Sequence, residues 1–224
     1  MDLGIQLAAL IICACAVSSE DIPDLEDSIP RFEQICDLFA KDSYFRPNHL
    51  VEGKRWRIYY TWNIEMRDRC VDMTFEWATV AATQRLWSDM HEYLETEPPW
   101  EAALLLMTMG SRDHQMMLFP DQGPAGRMLG VPNVRRDANV LIPKKSVPLL
   151  KFQMRIMNIN LQPFLVVMDC ITAVTTLSVK ADVIPPYKEF YHAASLQVPY
   201  PYGKPSCIEH QQKFTEHYKK DYEI

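Results

Sequence analysis

A run of strict period-two alternation constrains this chain more than any other stretch. In Trp56-Arg57-Ile58-Tyr59-Tyr60-Thr61-Trp62-Asn63, the residues Trp56, Ile58, Tyr60 and Trp62 fall on one face of an extended strand. The other face carries Arg57, Tyr59, Thr61 and Asn63, and the turn residue Gly53 precedes the run. A strand with an almost wholly aromatic face, entered through a glycine, suits the first strand of a small barrel or sandwich. A second alternation follows, with Val71, Met73, Phe75 and Trp77 opposed to Asp72, Thr74, Glu76 and Ala78. The charged segment between the two runs predicts a hairpin.

Further short apolar segments succeed one another at close spacing: 102–109, 115–119, 139–142, 149–159, 164–172 and 176–183. Leu150, Phe152, Met154 and Ile156 share a face, as do Phe164, Val166 and Met168. Residues 83–95 are ambiguous. Leu86, Trp87, Met90, Tyr93 and Leu94 fit a helix or an irregular strand, and the surrounding strands favour a strand. Residues 126–137 read as loop, 41–52 as a polar loop feeding the first strand, and 31–40 as a short helical turn. In the tail, 187–196 can form a short helix. Many short strands without alternating helices indicate an all-β barrel or sandwich joined by hairpins.

The apolar run from Leu3 to Val17, the small residues Ala16, Ser18 and Ser19, and the acidic residues that follow predict that residues 1–19 are a signal peptide. About 15 apolar residues fall short of the ~20 that a spanning helix needs. An N-terminal leader segment occupies 20–52, acidic over 20–30, and 53–224 form one domain. Beyond the leader peptide remain Cys36, Cys70, Cys170 and Cys207. An even number in a secreted chain predicts two disulfides, in any of three connectivities. No Cys/His spacing matches a metal site.

The formal net charge is -6 and the like charges are scattered, which argues against a nucleic-acid partner. No nucleophile elbow occurs, and His91-Glu92-Tyr93-Leu94-Glu95 lacks the second histidine of a zinc-protease helix, so no enzymatic activity is expected. His91 and His114 are more readily surface residues than haem ligands. No motif requires a cofactor.

In this order, Cys36, then Gly53 and Trp56, then Arg69-Cys70-Val71, then Val166-Val167-Met168-Asp169-Cys170, and finally Cys207 in the tail, the chain resembles the lipocalins. The nearest branch is the arthropod bilin-binding, insecticyanin-like one. The family's Gly-x-Trp is one residue longer here, and Lys180 is the cation nearest to the place where the family has an arginine. The resemblance implies an eight-stranded antiparallel up-and-down barrel with a C-terminal helix and tail, with Trp56 packed across its floor. It implies the pairings Cys36 with Cys170 and Cys70 with Cys207. It also implies a secreted carrier of a small hydrophobic molecule: a tetrapyrrole pigment, sterol, fatty acid or retinoid-like compound. Combined with the alternation, it assigns ligand contact to Ile58, Tyr60, Trp62, Met73, Phe75, Trp77, Phe152, Met154, Phe164, Val166 and Met168. The competing expectation is an extracellular interaction or inhibitor protein built on the same barrel with a filled interior.

Overall fold

The computed structural model describes residues 34–41, 45–52, 55–66, 69–110, 114–134, 142–159, 162–182 and 203–207. Residues 34–40 are helical (α1), and a short helix, α2 (Pro47–Glu52), leads into β1 (Arg55–Trp62). Then follow β2 (Asp72–Trp77), α3 (Val80–Met90), β3 (Leu105–Met109), β4 (Gln115–Pro120), β5 (Arg127–Pro132), β6 (Leu150–Ile159), β7 (Gln162–Asp169) and β8 (Thr175–Lys180). A short β9 (Gly203–Pro205) comes from the tail. Consecutive strands pair antiparallel from β2 to β8, β8 pairs with β1, and β1 returns to β2, which closes an eight-stranded up-and-down barrel. Closure covers most of the strand edges, the usual hazard of an isolated sheet.

The closing seam is narrow. Only Arg55↔Thr74, Trp56↔Met73 and Arg57↔Asp72 pair across it, and beyond them β1 diverges and takes β9 as its neighbour through Tyr60↔Pro205, Thr61↔Lys204 and Trp62↔Gly203. Both expected disulfides are present: Cys36–Cys170 ties α1 to the end of β7, and Cys70–Cys207 ties β9 to the start of β2.

Three local expectations are corrected. Residues 83–95 do not form a strand, because Thr79 caps α3 by accepting a 3.2 Å hydrogen bond from the amide of Ala82. Leu86, Met90 and Leu94, at helical spacing, then bury against Met117, Phe119 and Val131 on the outer face of β4 and β5. Residues 41–52 are not all loop, since 47–52 form α2, with Leu50 and Val51 packed over the end of the barrel where β1 begins. Within 126–137, Arg127 to Pro132 form β5, although Gly126, Gly130 and Pro132 gave that stretch the look of a loop. Gly126 stands at φ +87° with its would-be Cβ against the Met154 carbonyl, so the close approach requires glycine. The proposed leader peptide, Gly53, 139–141 and the helix over 187–196 lie outside the described residues.

Candidate functional site

Cross-strand partners share a face, so the register assigns each side chain to the inside or outside of the barrel. Inward are Trp56 and Ile58 from β1, Met73 and Phe75 from β2, Leu105 and Met107 from β3, and Met116 and Leu118 from β4. Met128 from β5, Phe152, Met154 and Ile156 from β6, and Leu165 and Val167 from β7 complete one contiguous buried cluster with Leu50, Met66 and Leu150. The lining is rich in methionine, an unbranched and polarisable side chain that adapts to irregular shapes. At β5 the inner face carries Gly130, and the Met116 sulfur and the Phe152 ring occupy the space its side chain would take.

The expected site residues divide. Ile58, Met73, Phe75, Phe152 and Met154 come together inside. Trp77 lies opposite Leu105 on the inner face but at the rim, 45% exposed. Tyr60 and Trp62 are on the outer face. Between Ile58↔Ser178 and Tyr60↔Leu177 the register slips by one residue, so Tyr59 is an extra residue on β1 and the alternation reverses beyond it. Tyr60 donates a 2.8 Å hydrogen bond from its hydroxyl to the Gly203 carbonyl of β9, and Trp62 is fully buried beside it. Phe164, Val166 and Met168 also face outward, packed with Tyr59, Phe39 of α1 and the disulfide cysteines Cys36, Cys170 and Cys207. β7 is buried on both faces, so its apolar run carries no period to say which face is inner.

Trp56 is buried at the floor, donating a 3.1 Å hydrogen bond from Nε1 to the Leu50 carbonyl of α2. It lies opposite Met73 on one side and Lys180 on the other. At the far end, Asp169 shares the inner face with Phe152, but its carboxylate is turned to the β7–β8 connection. It accepts hydrogen bonds from the Ile171 amide and the Thr172 hydroxyl, both at 2.8 Å, and a longer one from the Thr172 amide. Burial nevertheless pushes this carboxyl above the ordinary aspartate range.

Sequence reasoning missed the inner face of β8. Leu177 and Val179 look like its core face, yet they pack outward in the cluster with Tyr59 and Phe164. Ser178 is paired with Ile58 and Leu165, and Thr176 with Thr61 and Val167, so both hydroxyls point into the barrel. Both oxygens are buried without a hydrogen-bond partner in the protein. An unmatched buried hydroxyl costs about 1–3 kcal/mol. The inversion was present in Thr175-Thr176-Leu177-Ser178-Val179, where alternation is clear and only the identity of the inner face is hidden.

Among the described residues no cluster of His, Cys, Asp and Glu is arranged to hold a metal, and no helix is long and apolar enough to cross a membrane. His91 closes α3, stacked on Trp87 and hydrogen-bonded to its carbonyl. No protein-family model matches the chain, and neither the curated proteins nor the solved structures offer a significant match.

Proposed function

We propose that this protein is a secreted, lipocalin-like carrier that holds a small hydrophobic molecule inside its barrel. One observation carries the reading. An adaptable methionine-rich wall, formed by Met73, Met107, Met116, Met128 and Met154, encloses two buried hydroxyls that the protein leaves unmatched. In a solid core such hydroxyls are only a cost, whereas a binding cavity combines an apolar wall with a few polar groups that orient the guest. The two disulfides suit an oxidising, extracellular setting. A tetrapyrrole, sterol, fatty acid or retinoid-like compound fits this chemistry.

The test is titration of the ligand-stripped protein with retinol, biliverdin and a long-chain fatty acid, followed by tryptophan emission, since Trp56 belongs to the inner cluster. A saturable change for at least one supports the carrier. Visible absorbance of the native protein would add a pigment. A second reading, an interaction protein with a filled barrel, is favoured by the way Met116 and Phe152 close over Gly130. Absence of any saturable response from folded protein selects it.

A further inference from the structure

We infer that the ligand is a neutral apolar molecule bearing a hydroxyl or carbonyl group, held by the hydroxyls of Ser178 and Thr176 on the inner face of β8. The inference rests on the carrier reading and adds the chemistry of the guest. Ser178 is fully buried, and its oxygen and that of Thr176 lack protein partners while their cross-strand neighbours are Ile58, Thr61, Leu165 and Val167. They stand two residues apart on one strand, so they form a short polar stripe; Thr61 lies opposite Thr176, but its hydroxyl donates to the Ile64 carbonyl. A hydroxyl both donates and accepts, and therefore serves an alcohol or a carbonyl equally.

No charged side chain stands directly opposite either hydroxyl. Lys180 is the next inward residue toward the floor, opposite Trp56, and the Asp169 carboxylate at the other end is engaged by its own turn. A carboxylate head placed beside Ser178 would lose its hydration against two neutral hydroxyls, which are poor compensation for a full charge. A pure hydrocarbon would leave both hydroxyls unmatched. A neutral alcohol or ketone satisfies both conditions.

The experiment compares dodecanol, dodecanoate and dodecane by competition for a saturably bound fluorescent apolar probe, in the parent protein and in Ser178→Ala and Thr176→Val. The expected result is that dodecanol competes best, and that each substitution weakens it about tenfold, the worth of one good hydrogen bond, with dodecane unchanged. Both variants should unfold at the same or higher urea concentration than the parent without ligand, because a hydroxyl that has no partner is lost at no structural expense. Equal competition by all three compounds, insensitive to the substitutions, overturns the inference and leaves the carrier intact. Tightest binding of dodecanoate, lost in Lys180→Met but not in Ser178→Ala, also overturns it and moves the polar head to the floor. Failure of the probe and of all three compounds to bind folded protein overturns the carrier and the inference together.

Discussion

Arg57 and Asp72 stand directly opposite each other across the seam that closes the barrel, and the guanidinium grips the carboxylate with two hydrogen bonds, Nε to Oδ1 at 2.7 Å and Nη2 to Oδ2 at 3.0 Å. Arg55 adds a looser contact to the same carboxylate. Since the register between β1 and β2 covers only three residue pairs, this clasp reinforces the shortest join between neighbouring strands of the barrel. The Asp72 partner also raises the pKa of Arg57. Replacing Asp72 by Asn keeps the shape and removes the charge. The expected loss is about 1–3 kcal/mol for a two-pronged, half-buried pair, smaller at high salt. Urea unfolding at low and high ionic strength checks it; identical midpoints for variant and parent would show that the seam holds without the clasp.

Trp56 plugs the floor by volume and by one hydrogen bond, and two substitutions separate these contributions. Trp56→Phe keeps most of the packing and removes the Nε1 donor to Leu50, leaving that carbonyl without this bond; the expected cost is about 1 kcal/mol. Trp56→Ala also empties the floor and should cost ~3–5 kcal/mol. Similar thermal unfolding of the two variants would contradict the division.

The tail strand depends on its disulfide. β9 contributes three residues, and the Cys70–Cys207 link closes a sequence separation of 137. Chain entropy assigns such a loop roughly 4–5 kcal/mol. With Cys70→Ser and Cys207→Ser combined, β9 should leave β1 and uncover Tyr60 and Trp62, which it now shields. The expected readouts are red-shifted tryptophan emission and faster proteolysis after residue 182. An unchanged spectrum would mean that the hydrogen bonds of β9 suffice by themselves.

The class of fold was legible because alternation survives wherever one face of a strand differs chemically from the other. Met73 and Phe75 against Asp72 and Thr74 place β2 unambiguously, and the alternation through Phe152, Met154 and Ile156 does the same for β6. The interior was only half legible, for two physical reasons. One extra residue at Tyr59 reverses the facing of Tyr60 and Trp62 without altering the composition of the run. On β7 and β8 the barrel's outside is itself buried, under α1 and the tail residue Cys207, so apolar character no longer identifies the inside. Thr79 as a helix cap was readable in principle, but a short amphipathic helix and an irregular strand share the same residues.

Asp169 should make stability depend on acidity in a definite direction. Its hydrogen bonds from Ile171 and Thr172 favour the ionised carboxylate, but burial outweighs them and raises its pKa in the folded protein. A carboxyl that ionises less readily when folded than when unfolded contributes stability in the acidic range, fully present below the unfolded pKa. That contribution is lost as pH rises through the folded value. Asp169→Asn removes the titration while its amide oxygen can still accept from the Ile171 amide. The difference in unfolding free energy, parent minus variant, should therefore increase as pH is lowered from about 7 toward about 4, the range just above the ordinary aspartate pKa. Urea titrations of both proteins across that range check it. A difference that shrinks on acidification would mean that the turn hydrogen bonds outweigh burial, and that the charged form of Asp169 holds the end of β7 against the connection to β8.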